Sequence, residues 1–567
     1  MKAAKRKAEQ KSLEAARPGG ATGWWKIALI FAALILTFLV YSPALDGGYV
    51  FDDEYLPAVE DAQYAQRDLG FVLATGRPLF NFSFWLTANL VEGASAVTHH
   101  KVNVWLHFCN AIVMFFVLRK LMPTELLAGF GAALFLLHPV QTESVAYIAG
   151  RSESLCLLFF LGAYAVFLHF REGGIGWPAS GGVIVLFGMA VLSKEHAAVL
   201  PLLLAATDFY LGGLDALKKN ARVYLPLLVL GIAGGVMVWS VLTGADTAGF
   251  GMRDLPWYQY LFTQWRALWV YLRLFLLPVG LNADYDFPVS RSVLDHGAIF
   301  GLIALLALAA AALHFRRRFP LAVFGLIVFF LLIAPTSSIV PIRDALAERR
   351  LYMPFLGLLL VAGGLLAHWK APLETRGAAM ALVLAVFAWL TYGRSAVWGS
   401  PKALWQDTVN KSPHNARAHF QQAMILYHEG RCEDSRKEFE AAHKFGNSEH
   451  RLFVDWALAL DCLNQPGEAM NKLREAIRIQ DTGHAHSLVG MVLAKQQNYD
   501  AALEELDKSL TMDPAQDMAY VYRGNVYFLR QEPAKAQADF ERALQLNPSN
   551  QAAIQGMAAL RSQGAKP

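Results

Sequence analysis

Long apolar runs separated by short polar connections fill the first two thirds of the chain, and an amphipathic, helix-period rhythm replaces them after about residue 416. A membrane helix needs about 20 apolar residues to cross ~30 Å of hydrocarbon. Eleven runs meet or approach that length, near 24-44, 101-118, 125-145, 153-169, 177-193, 197-212, 223-243, 297-313, 321-340, 351-367 and 378-393. A twelfth, 256-280, carries Arg266 and Arg273 seven residues apart on one helical face with Thr263. It reads as a helix lying at the interface, because an arginine at the bilayer centre costs about 3 kcal/mol or more.

Charge follows the same division. Residues 411-567 hold 38 of the 96 charged side chains, so the first 410 residues are depleted and the last 157 have a soluble composition. On the eleven-span reading, the connections on the side of the basic tail (1-23) hold 11 Lys or Arg in 41 residues, against 11 in 137 on the other side. That bias places the tail in the cytoplasm and the C-terminal region outside. The first run is too long for a signal-peptide core and no A-x-A site follows it. The expected organisation is a cytoplasmic tail (1-23), a membrane domain (24-393), a linker (394-415) and a repeat domain (416-567).

The repeat domain has a legible period. Gly524, Tyr527, Ala536, Phe540, Ala543 and Pro548 occupy the tetratricopeptide positions, with Gly490, Ala502, Leu506 and Pro514 in the unit before. Starts at 416, 450, 483 and 517 are spaced 34, 33 and 34 residues apart, predicting four helix pairs and a capping helix over 549-562. Cys432 and Cys462 fall at the same end of adjacent helices. Either they bridge in an oxidising compartment or they are two reduced thiols.

Polar groups with chemical potential gather in the connections assigned to the outer side. These are Asp52, Asp53 and Glu54, then Arg77, His138, Glu143 and Arg151, then Lys194 and Glu195, then Asp284, and last Glu348, Arg349 and Tyr352. Each has a bland alternative: an acidic helix cap at Asp52-Asp53, a helix stop at His138-Pro139, snorkelling at Lys194 and Arg151, a local ion pair at Glu348-Arg349. Clustering on one side of the membrane favours a shared cavity. No nucleotide loop, dinucleotide fingerprint, nucleophile elbow or H-E-x-x-H zinc motif is present.

The ordered set "FDDEYL", "RPLFNFSFW", "HHKVNVWLH", "HPVQTESVAYIAGRSE", "SKEH", "APTSSIV" and "AERRLYMP", followed by the repeats, resembles the transmembrane and tetratricopeptide repeat-containing O-mannosyltransferases and their bacterial relatives, within the GT-C superfamily. Gln141, Glu153 and His196 depart from the pattern, which bears on sugar identity. The resemblance implies an all-α, polytopic GT-C-like membrane domain followed by a repeat solenoid. It also implies transfer of a mannose-like sugar from a polyprenyl-phosphate donor to an acceptor, a protein held by the repeats, outside a bacterial inner membrane. Asp52 or Asp53 would be the general base. Arg349, Lys194, Arg77 and Arg151 would face the donor phosphate, while Glu54, His138, Glu143, Glu195, Glu348, Tyr352 and Asp284 would line the pocket. The lipid-linked sugar is the donor substrate and no cofactor is fixed; a divalent cation on Asp52, Asp53, Glu54 or Asp286 stays open. The rival reading is a non-catalytic membrane scaffold acting through its repeats, and a third is a flippase for the lipid-linked sugar.

Overall fold

A computed structural model of the chain describes residues 24-60, 63-74, 76-244, 249-252 and 254-564; the basic tail 1-23 lies outside them. Among the described residues every regular element is helical. The chain divides into two compact units, Met1–Leu404 and Trp405–Pro567.

In the first unit each of the eleven apolar runs contains an apolar helix. Among the described residues six are long and apolar enough to cross a membrane: Ile27–Ala44, Ala96–Leu121, Ile148–Gly173, Glu195–Lys219, Asp295–Phe315 and Leu373–Val397. The other five are shorter, 10–17 residues over their described apolar stretches. Several runs overshoot their helices for chemical reasons. The 125-145 run breaks at Leu137, where Pro139 removes an amide donor and the chain turns. The 321-340 run ends its helix at Ile333, just ahead of Pro335. Helix Trp257–Leu276 buries Tyr260, Thr263, Gln264 and Tyr271 and hydrogen-bonds outward. Arg266 donates to Pro288 O at 2.8 Å and Arg273 to Val279 O at 3.0 Å.

Close packing depends on small residues where two helices meet. Helices Pro320–Ile333 and Phe355–Leu366 approach so tightly that a Cβ on Gly325 would stand 2.6 Å from Val361 N, and one on Gly364 3.0 Å from Ala322 Cα. Between apolar helices in lipid such contact is the main attraction, since burial from water contributes little.

The second unit is a stack of antiparallel helix pairs: Ala416–His428 with Cys432–Lys444, His450–Cys462 with Pro466–Ile479, Gly483–Lys495 with Tyr499–Met512, and Asp517–Leu529 with Pro533–Leu546. Helix Gln551–Gly564 follows. The small positions do what the repeat pattern requires: Phe540 fills the space above Gly524, where a Cβ would meet its ring at 2.8 Å, and Leu506 does the same at Gly490. Cys432 and Cys462 form a disulfide, with Cα atoms 6.1 Å apart, linking the first two repeats.

Candidate active site

The segment 47-55 is pressed against its surroundings. A Cβ on Gly47 would lie 2.6 Å from Trp398 O, so only glycine fits there. Phe51 then takes φ +53°, a left-handed conformation costly for an aromatic residue, with its ring 5.7 Å from that of Tyr147. The short 3-10 turn Phe51–Tyr55 follows and separates the two neighbouring carboxylates. Asp53 is fully buried, its Oδ1 accepting the Ala149 N–H at 2.7 Å and its Oδ2 the Val50 N–H at 3.2 Å. Burial lifts its carboxyl to about 7, although these amide donors pull it down. Asp52 is exposed, while its backbone N–H donates to Tyr147 Oη at 3.2 Å. One carboxylate therefore anchors the turn and the other is presented to solvent.

The opposing wall, residues 147-151, is fixed from within helix Ala96–Leu121. Asn103 Nδ2 donates to Tyr147 O (3.1 Å) and Ile148 O (3.2 Å), and its Oδ1 accepts Arg151 Nε at 2.9 Å. Arg151 is fully buried, lies 4.0 Å from the Phe84 ring centroid, and donates further to Ser83 O, Thr87 Oγ1 and His99. Its donors are all engaged, so the expected donor-phosphate contact from Arg151 has no free N–H to make it. Burial and the carboxylates of Asp53 and Asp52 push the Tyr147 phenol well up, against the pull of Arg349, so it stays protonated.

Three cations come to the site, each held by a carboxylate. Arg349 binds Glu143 through its side chain and, at 2.8 Å, its backbone N–H, and reaches Asp344 at 3.2 Å. Lys194 Nζ donates to Glu153 Oε1 at 2.6 Å, and His196 Nε2 lies 3.4 Å from the other oxygen. Arg77, at the N-cap of helix Pro78–Leu90, pairs with Glu195 at 2.8 Å. Arg349 lies within electrostatic range of both Tyr147 and Glu153, and Arg77 of Glu153. Segments 52-53, 143-153, 194-196 and 344-349 are thereby tied into one charged neighbourhood.

The remaining expected pocket residues take different places. Glu54 is exposed beside Asp52. Glu348 is buried, accepting Asn282 N–H at 2.6 Å and Tyr285 Oη–H at 2.7 Å, and burial raises it to about 7. Asp284 is buried in the adjoining 281-287 loop. His138 is packed among Phe275, Phe355 and Phe387, its Nε2 on Phe275 O and its Nδ1 accepting Val140 N–H. Tyr352 is interior, bonded to His107 at 2.9 Å and Asn110 at 3.2 Å. His138 and Tyr352 thus serve the scaffold instead of facing a pocket. Among the described residues no three His, Cys, Asp or Glu side chains converge as a metal-ligand set, and Asp53 spends its oxygens on backbone amides.

Sequence reasoning passed over Tyr147, Asn103 and Asp344 as site residues. A signal for Asn103 existed. His99, Asn103, His107 and Asn110 follow at intervals of four, four and three in an otherwise apolar helix, a polar stripe on one face.

Comparison with known proteins adds to this geometry. Tetratricopeptide repeat family models match residues 484–516 and 518–550. Over 443 residues the chain is 26% identical to protein O-mannosyl-transferase F38B6.6 of Caenorhabditis elegans, covering 73% of this chain and 62% of that one. It is 24% identical over 535 residues to protein O-mannosyl-transferase TMTC3 of Mus musculus, covering 84% and 57%. Homologues of this chain are the TMTC protein O-mannosyl-transferases with tetratricopeptide repeats. A third, TMTC4 of Homo sapiens, is 26% identical over 482 residues, covering 70% and 63%. The chain thus spans about three fifths of the length of these relatives. Among solved structures, the tetratricopeptide protein YrrB aligns with 32% of this chain and 89% of its own at 21% identity and TM-score 0.24. With six described helices long and apolar enough to cross a membrane and two matched repeats, the chain is a membrane protein carrying a repeat domain.

Proposed function

We propose that the chain is an inverting, polyprenyl-phosphate-sugar-dependent glycosyltransferase of the GT-C type that mannosylates protein hydroxyls. The observation that carries the reading is the presentation of Asp52: an exposed carboxylate held by its backbone on Tyr147, whose phenol lies in the field of Arg349. As the acceptor oxygen bonds to the anomeric carbon, Asp52 takes the hydroxyl proton, and the bond from that carbon to the phosphate oxygen breaks. Its electron pair leaves on the lipid phosphate, which Arg349 and Lys194 stabilise, with Arg77 at the rim. Each cation is oriented beforehand by its carboxylate, so little reorganisation accompanies the reaction. Asp53, Arg151 and Asn103 hold the two walls in place. A transferase using a lipid-borne donor has reason to sit in the bilayer, and the repeats supply a surface for the protein acceptor. The Cys432–Cys462 disulfide supports an exoplasmic repeat domain, since such bonds persist in oxidising compartments.

The test is transfer of radiolabel from polyprenyl-phosphate mannose to a Ser/Thr-containing protein acceptor by the purified, folded chain. Asp52→Asn should lower turnover by about 10²–10⁴. Near-normal turnover in Asp52→Asn refutes the base.

A further inference from the structure

The candidate site involves the N-terminal ends of two neighbouring helices, Ala96–Leu121 and Arg151–Phe170, through His99, Asn103, Arg151 and Glu153. The first helix has 26 residues, and at 1.5 Å per residue its ends are about 39 Å apart. That exceeds the ~30 Å hydrocarbon core, so the C-terminal ends of the pair reach the opposite membrane face. There the two helices line a cleft of about 670 Å³, formed by Phe116, Arg119, Lys120, Val166, His169 and Phe170 among others.

Its chemistry is divided. Phe116 and Phe170 are each half exposed, and with Val166 they make an apolar wall of the kind lipid tails cover. Arg119 and Lys120 form a cationic rim with His169 beside them. Lys120 is exposed. Arg119 meets Glu125 at 3.0 Å, but both side chains are more than half exposed, so that pair is weak and exchangeable. The next cation, Arg171, is committed elsewhere, bonded to buried Asp208 at 2.6 Å. A cationic rim over an apolar wall at a membrane face fits an amphiphile with an anionic head.

We propose that this cleft binds an anionic phospholipid from the leaflet opposite the candidate site, its phosphate on Arg119 and Lys120 and an acyl chain along Phe116 and Phe170. Basic pockets between membrane helices recognise lipid phosphate in this way, each cation adding to attraction from an anionic leaflet. The binding is independent of sugar transfer and of the identity of the catalytic base.

The experiment uses the full chain in phosphatidylcholine nanodiscs doped with a trace of phosphatidylglycerol bearing a photoreactive acyl chain, or with the matching phosphatidylcholine probe. After irradiation, peptides covering 115-121 and 165-171 are quantified against one from helix Ala298–Phe315. The phosphatidylglycerol probe should label the cleft peptides about fivefold or more above the phosphatidylcholine probe. Lys120→Gln should reduce that excess and Arg119→Gln with Lys120→Gln should abolish it, with labelling of the 298-315 reference unchanged as the control for folding. Equal labelling by both probes, or an excess that survives the double substitution, overturns the proposal. So does displacement of the probe by polyprenyl phosphate but not by unlabelled phosphatidylglycerol.

Discussion

Asp52 and Asp53 are identical in chemistry and adjacent in sequence, yet their surroundings give them opposite roles. The difference comes from Ala149, whose amide meets Asp53 across 96 positions of chain. A pair of acids was legible in the sequence; which of them is buried was not, because burial is decided by a remote segment. The pH consequence has a definite sign. Since the folded state holds the Asp53 proton more tightly than the ordinary carboxyl range of about 4, folding is favoured by protons at this site. That contribution is full below about 4 and is lost as pH rises through about 7. Asp53→Asn, which stays neutral, should therefore flatten the dependence of melting temperature on pH between 4 and 7; an unchanged slope contradicts the assignment. At Tyr147, replacement by phenylalanine removes the acceptor of the Asp52 N–H while keeping the ring against Phe51. Turnover should fall by about tenfold, with little change in melting temperature, given the ~1 kcal/mol typical of one hydrogen bond.

Helices were readable as apolar runs because lipid-facing and core-facing positions are both apolar, which makes the signal long and continuous. Their ends were less readable. Runs 125-145, 321-340 and 351-367 each extend past the helix, since the connecting segments that build the site are buried and apolar too, with Val140, Val145, Leu351 and Met353 among them. The interhelical contacts were also hidden, because a glycine in an apolar run does not announce its neighbour. Gly325 faces backbone of the Phe355–Leu366 helix with no room for a methyl group. Gly325→Val should lower the detergent melting temperature by the equivalent of about 1–3 kcal/mol, or prevent folding. Gly377→Val, at a position open to its surroundings, should leave stability almost unaltered. Equal effects from the two would remove the packing argument.

The two units differ in what made them legible. The repeat period fixed the helix pairs of the second almost residue by residue, whereas the pairings around Arg349, Lys194 and Arg77 join segments up to 206 positions apart and leave no local trace. In the repeat unit His419 Nδ1–H donates to Glu438 Oε2 at 2.6 Å, and that hydrogen bond raises the imidazole above its usual range. Its stabilising effect is complete below about 6.5 and fades as pH climbs through the raised value. Loss of a His419 titration shift in Glu438→Gln, followed by NMR, is the expected result. The disulfide has a larger effect. Closing a loop of about 30 residues constrains the unfolded chain by about 3.6 kcal/mol, and Cys432→Ser should lower the repeat-unit transition accordingly under non-reducing conditions.

That single covalent tie also gives the array a polarity. A stack held only by nearest-neighbour interfaces can unzip from either end. Here the first interface is stitched while helix Gln551–Gly564 packs through side chains such as Ala553 and Met557, so the last repeat should open more readily than the first two. Amide exchange in oxidised protein should then decay as a gradient, slowest in the first two repeats, and reduction should erase the gradient at its slow end.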